Sequence, residues 1–489
     1  MITTFNFLLW TRARSDERGQ ITLYVLIFSA VSIIVLSGFV LWADANMRAV
    51  FRDSDKAQAF MTAEAGIEYY RWHLAHAQSD YKDGTGGPGP YVHEFKDKDG
   101  IVIGAFSLDI TAPQVGSTVV TINSTGTVTV NSTISKIIEA KMAIPSFAKY
   151  AIAVNDYVRF GEGTEIFGPI HSNGGVRMDG LAHNLVTSSV LEVNDPDHSG
   201  SDEIGVHTHV VPIDPSPPAP APSRPDVFMV GREYPVAPVD FAGITQDLAN
   251  IKTDAQSGGF YRGSSNDDGY HIVLKTNDTF DFYKVTKVLN PPNGCISVLG
   301  QQDWGTWTIQ NETLLGNYAF PANGLIFIED SVWVEGQINT ARLTIAAAIF
   351  PENSSKYAHI TVNKDLLYTN YDGQDIISLI AQGNFNAGLQ SEDDLRVDAA
   401  LIAQNGRVGR YYYRAPSGNQ NRCGPYHTRQ KITLYGMISS RERYGFAYSD
   451  DTGYVIRLII YDANLLYGPP PSFPLTADFY TPIFWNEKQ

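Results

Sequence analysis

Cysteine is nearly absent from this chain of 489 residues: there are two, Cys295 and Cys423, far apart and in no metal-ligand spacing. In an exported protein they can form one disulfide; two unrelated buried thiols fit the sequence equally well. Basic residues are also in deficit, 36 Lys and Arg against 52 Asp and Glu for a formal charge of −16, which argues against a nucleic-acid partner held through its phosphates. Charged residues make up only 18% of the chain, while Gly, Tyr, Phe, Thr, Ser and Asn are plentiful, a bias toward strands and turns. The common catalytic and cofactor signatures are missing too: there is no G-x-S-x-G elbow, P-loop, H-E-x-x-H or paired C-x-x-C. These absences remove the simplest arguments for an enzyme without excluding one; the chain is expected to be non-enzymatic and to need no cofactor.

One long apolar run is present. No charged side chain occurs from Gly19 to Ala43, and Ile21 to Trp42 as a helix would span about 33 Å, enough for a bilayer core. Arg12, Arg14 and Arg18 precede the run and Asp44 follows it, so the positive-inside bias places the N-terminus in the cytoplasm and the rest outside. Beyond it, Asp44 to Gln78 contains no proline and one glycine, Gly66, with good helix formers throughout. A single helix from about residue 20 to 77 is expected, about 87 Å long.

The stretch ERGQITLYVLIFSAVSIIVLSGFVLW, followed by AFMTAEAGIEYYRWHL, resembles the N-terminal helix of type IV pilins and pseudopilins, and among them the PilX-like minor pilins. The resemblance covers about 80 residues and implies a cut by a prepilin peptidase after Gly19, leaving Gln20 as the first mature residue. It also implies other pilins as partners, with the helix in the inner membrane first and in a filament core afterwards. Major pilins usually carry Glu at the fifth mature position, where this chain has Tyr24; some minor pilins and pseudopilins lack that Glu as well. The departure favours a minor or tip subunit. A plain, uncut signal anchor is the simpler alternative, but it leaves the proline-free extension unexplained.

After the helix-breaking GGPGPY at Gly86 to Tyr91, apolar residues alternate at Phe106, Leu108 and Ile110, at Val120, Ile122, Val128 and Val130, and at Ile134, Ile138, Ala140, Met142 and Ile144. Alternation predicts an antiparallel sheet with one face against the exposed half of the helix. From about residue 146 short apolar bursts follow, and SLIAQGNFNAG at Ser378 aligns with ALIAQNGRVGR at Ala400 at an offset of 22 residues. Such a period predicts stacked parallel β-helix coils. Segments similar to Gly168–Gly174 and Leu401–Gly406 accompany PilX-type N-termini in large bacterial surface proteins.

Seven prolines in Pro212 to Pro225 predict an extended polyproline linker. Beyond it, Phe241, Ile244, Leu248 and Ile251 fall at helical spacing within an inserted segment. The expected class is α+β. Its parts are a leader at 1–19, a pilin-type transmembrane helix at 20–78, an antiparallel domain at 79–145 and solenoid coils at 146–211. The linker at 212–225, an α/β insertion at 226–321 and further coils with a C-terminal cap at 322–489 complete it.

Three further constellations carry possible chemistry. His171, His183, His198, His207 and His209 fall within 39 residues, but no acidic partner stands at a convincing spacing, so solvated polar residues are expected rather than a metal site. Asp195, Asp197 and Ser199 before Gly200 match the first half of an EF-hand-type calcium loop, yet the twelfth position is Val206 instead of Glu, which makes calcium a weak candidate. DKDG at Asp97 and NDDG at Asn266 are weaker. Asp394, Arg396 and Asp398 on one side of a strand suggest the groove of a carbohydrate-active β-helix enzyme, and Tyr411, Tyr412 and Tyr413 could stack on a sugar or fill a core. The sequence thus points to a minor subunit of a type IV pilus-like filament at the cell surface, priming, tip-located or adhesive toward a surface glycan or a neighbouring cell. A pilus-independent anchored surface protein and a β-helix enzyme are the alternatives.

Overall fold

A computed structural model describes residues 18–241, 243–475 and 479–488, with side chains from Gln20 onward and outside 242–247. The expected leader lies outside the described residues up to position 17, as does the side chain of Ile244.

One helix runs from Arg18 to His76, close to the expected bounds. Its two halves differ in surroundings. Ala59, Thr62, Ala63, Ile67, Tyr70 and Leu74 recur at helical spacing and are buried, whereas the segment before Asp55 is almost wholly exposed. The buried stripe lies on an antiparallel sheet in the order Tyr91–Lys96, Val102–Thr111, Val120–Val128, Ser135–Ala143 and Thr481–Lys488. The predicted alternation holds on the inner face, where Phe106, Leu108, Val120, Ile122, Ile138, Ala140 and Met142 are buried; Val130 falls beyond its strand and is exposed.

Glycine sets how closely helix and sheet approach. A Cβ on Gly126 would lie 2.1 Å from the Ala59 carbonyl oxygen and 2.3 Å from the Ala63 nitrogen, and one on Gly66 would lie 2.3 Å from Ser124 Oγ. At Gly126 only glycine lets the two backbones touch, and at Gly66 it admits the Ser124 and Phe106 side chains against the helix.

The C-terminal segment departs from expectation. Rather than capping the solenoid, it crosses back and adds Thr481–Lys488 to the edge of the sheet, antiparallel to Ser135–Ala143. Trp485 meets Phe60 of the helix with ring centroids 5.7 Å apart. The added strand covers an edge that would otherwise expose unpaired peptide groups. Eight residues that include a proline give too short a pattern to signal this in advance.

The rest of the head is a stack of parallel strands. One ladder runs Phe260–Arg262, Leu325–Ile328, Arg342–Ala347, Ile376–Ala381, Asp394–Ala403, Thr428–Ser440, Ile152–Val154, Ile170–Ser172 and Val186–Ser188. The sequence repeat is the rung spacing itself: Ser378, Leu379, Ile380 and Ala381 pair in register with Ala400, Leu401, Ile402 and Ala403. Leu379 on Leu401 and Ala381 on Ala403 thereby stack inside the main core, and Ile380 on Ile402 in a second cluster. Chain order and stacking order differ, because the coil at Ile152–Val154 sits on Thr428–Ser440, the later part of the chain. The two solenoid parts are therefore a single stack, and the proline-rich segment with helix Gly243–Gly258 returns the chain along its outside. Leu248, Ile251 and Ala255 of that helix pack on Ala346, Ile380 and Ala400.

Arg342 joins sheet, stack and C-terminal segment by donating to four backbone carbonyls: Val115 at 2.9 Å, Gly373 and Gly468 at 2.6 Å, and Pro469 at 2.7 Å. On the inserted hairpin, buried His271 bonds Glu312 at 2.7 Å and lies 3.6 Å from Glu335 of the stack. Burial works against its charge, but the two carboxylates outweigh it and the pKa is raised above 6.5.

Two predictions follow from these contacts. Gly126→Ala is expected to cost about 1–3 kcal/mol by thermal denaturation, while Gly161→Ala, where a Cβ meets nothing within 4 Å, stays within about 0.5 kcal/mol of wild type. For His271, a raised folded pKa gives stability that is full below the unfolded value and is lost as pH rises through the folded one. The Tm advantage of wild type over His271→Gln is thus expected to be largest between about pH 5 and 6.5 and to shrink above that.

Candidate functional site

Two surfaces stand out. The first is the free half of the helix, where Ile21, Tyr24 and Trp42 are 64%, 67% and 61% exposed, in company with Leu23, Phe28, Ile34, Phe39 and Leu41. No described part of the chain covers this surface, and it is long and apolar enough to cross a membrane. Gly19 and Gln20 lie in its first turn. Tyr24 presents its ring to the surroundings.

The second is a cleft of about 1200 Å³ where the two solenoid parts meet. Asp156, Arg159, Asp197, Gln301, Asp303, His359, Asn384, Arg407, Glu442, Arg443 and Tyr448 line it. Strand Val408–Arg410 is its last full rung on one side, and the loop following Ser440 takes the place of the next. Tyr448 Oη accepts from Gln301 at 2.9 Å and from Arg407 at 3.2 Å and donates to the Arg410 carbonyl at 2.7 Å. Arg159 Nε, Asn405 Nδ2 and Arg407 Nη2 are buried donors that no hydrogen bond satisfies. Burial pushes the Glu442 pKa up, while a hydrogen bond from His359 holds Asp303 below the usual carboxylate range. Unspent donors, carboxylates of opposite tendency and an aromatic hydroxyl suit a polar, multiply hydroxylated or charged ligand.

The calcium reading is corrected by pairing. Asp195 Oδ2 accepts from Arg177 at 2.9 Å and its Oδ1 from the Asp197 backbone at 2.8 Å. Asp197 is tied to Arg443, and Ser199 is exposed. Carboxylates already neutralised by guanidinium groups do not form an oxygen cage for calcium. The turn at Asp97 is explained locally by its carboxylate accepting from Asp99 and Ile101 at 2.9 Å.

Asp394, Arg396 and Asp398 do not line the cleft: Asp398 is buried, bonded to Arg396 at 2.8 Å and Tyr371 at 2.7 Å, and Asp394 pairs with Lys431. Tyr411 and Tyr413 fill a core, donating to the carbonyls of Gln302 at 3.1 Å and Gly305 at 2.8 Å; Tyr412 is half-buried and bonds Asp450 at 2.7 Å. That small core surrounds a disulfide between Cys295 and Cys423, which clips the loop from the inserted hairpin to the 411–427 loop.

The histidines divide. His171 bonds Thr187 and Asn173, and His183 bonds Glu165 and stacks on Phe167, so both have ordinary structural roles. His198, His207 and His209 instead gather around Glu203 and Asp195. The acidic partners that spacing failed to supply come from a folded loop. Only the antiparallel pairing of Glu192–Val193 with Glu203–Ile204 brings them in.

Helix, sheet and stack together define an α+β protein with an N-terminal helix that can cross a membrane and a large β-rich head. No family model matches the sequence, and no curated protein matches it. Among solved structures it is similar to the competence-associated pilin ComZ from Thermus thermophilus. The two are 11% identical, the match covers 89% of this chain and 98% of that one, and the TM-score is 0.31.

Removing the disulfide is expected to cost about 2–4 kcal/mol, because it closes a loop of 128 residues. Cys423→Ser and reduction of wild type should lower Tm equally, with no further loss when the variant is reduced.

Proposed function

We propose that the chain is a minor subunit of a type IV pilus-like filament, held first in the inner membrane and then among the helices of other pilins. The observation that carries this reading is the division of one unbroken helix. Its later half is docked on the sheet, and its apolar first half has no partner within the described chain. Lipid or a bundle of similar helices supplies the missing cover. The resemblance of the segment around Gly19 to a prepilin peptidase site, and Tyr24 in place of the usual Glu, support a minor subunit. A head this large sits more easily at a tip than along a shaft, where neighbours crowd. In this reading the protein is not an enzyme, and the cleft is where the head grips a surface glycan or neighbouring cell.

A carbohydrate-active enzyme is the second reading, favoured by the opposed tendencies of Glu442 and Asp303 in one cleft. Measured turnover of a glycan by the full chain, lost in Glu442→Gln, would support it.

The filament reading is tested by N-terminal sequencing of protein from sheared filaments and by Gly19→Val. Gln20 is expected as the first residue, and the variant should retain its leader and be missing from filaments. An unchanged mass and location in Gly19→Val would favour an uncut, pilus-independent anchor.

A further inference from the structure

Around His209 the head gathers side chains whose chemistry no other feature uses. His209 Nε2 lies 3.4 Å from Glu203 Oε1, and His198 Nδ1 lies 3.5 Å from the same oxygen. His207 Nε2 lies 3.7 Å from Asp195 Oδ2. Within each of two sets, His198–Glu203–His209 and Asp195–His207–His209, the ligand atoms all fall within 4.8 Å of one another.

These separations are long for hydrogen bonds. They are close to the edge of a tetrahedron, about 3.3 Å, whose corners are nitrogen and oxygen ligands about 2.0–2.1 Å from a central ion. In keeping with that, His207 Nε2, His209 Nε2 and Glu203 Oε2 are buried atoms that no hydrogen bond satisfies.

The tautomer of His207 sharpens the point. Its Nδ1 meets the carbonyl of Ile204 at 2.9 Å, and a carbonyl only accepts, so Nδ1 carries the proton. In the neutral ring Nε2 is then left with its lone pair and without a hydrogen-bond donor, near an Asp195 oxygen that already accepts from Arg177. A backbone carbonyl fixing one ring nitrogen so that the other can ligate is the usual support of a metal-bound histidine.

Charge leads to the same place. Asp195 is already answered by Arg177, but Glu203, with a side chain 5% exposed, has only histidines as ion-pair partners among the described residues. A buried carboxylate without a fixed cation is costly.

We propose that His198, Glu203 and His209, with His207 beside them, bind one divalent transition-metal ion of the zinc type. Imidazole nitrogen with a single carboxylate suits zinc and its neighbours and disfavours calcium or magnesium. The ion staples the loop between Glu192–Val193 and Val206–His207 to the stack through the pairing of Val206–His207 with Val176–Met178. Asp197, which pairs with Arg443 at the cleft wall, is on this loop, so the ion also holds one edge of the cleft. The proposal does not depend on the filament reading.

The test uses the full chain in detergent, stripped with a chelator and titrated with Zn2+ by calorimetry, with Co2+ as a spectroscopic stand-in. Wild type is expected to take up one ion per chain, to give the visible bands of tetrahedral Co2+ and to melt at higher temperature with Zn2+. His209→Gln and Glu203→Gln should each weaken binding at least 100-fold, whereas His183→Gln, a histidine outside the cluster, should bind as wild type does. Far-UV circular dichroism establishes that each variant keeps its sheet. No uptake by wild type, or His209→Gln and Glu203→Gln proteins that bind like wild type, would overturn the proposal.

Discussion

The apolar surface of the first half of the helix is the constraint on which the rest of the molecule depends. From Ile21 to Trp42 the chain exposes large aliphatic and aromatic side chains on every side, and the head does nothing to cover them. A soluble protein would have folded that surface inward. Here the helix is rigid through the change of surroundings, because no proline interrupts it and the head grips only its later half. Gly126 makes that grip a backbone-to-backbone one, and Gly66 lets the Ser124 and Phe106 side chains lie against the helix, while the other half of the helix stays uncovered by the head.

The head solves a separate problem, that of building a large folded mass from a chain with few charges. Stacked parallel coils share one core, and each rung satisfies the peptide groups of the next. The sequence order of the coils is broken by the return segment, so that Ile152–Val154 stacks on Thr428–Ser440. Beside that junction the loop after Ser440 bridges to strand Val408–Arg410 through Gly445, and residues of this loop line the cleft. Arg342 and the C-terminal strand then tie the stack to the sheet.

Features that depend on periodicity were legible in the sequence. The unbroken helix, the alternation in three strands, and the 22-residue offset between Ser378 and Ala400 all reappear in the fold. Features that depend on distant partners were not. Thr481–Lys488 is too short to declare its sheet, and the calcium pattern at Asp195 ignored arginines that only the fold places beside it. The carboxylates at Asp394 and Asp398 are on a strand as expected, yet do not line the cleft.

By itself the sequence determined the elements, because apolar period, proline and glycine act over a few residues and need no knowledge of the remainder. Tertiary structure alone decided the pairings: Cys295 with Cys423, Ile152 with Ile438, and Glu203 with His198 and His209. Burial and charge compensation are properties of what surrounds a group, and in this chain those surroundings are assembled from segments as far apart in sequence as Phe60 and Trp485.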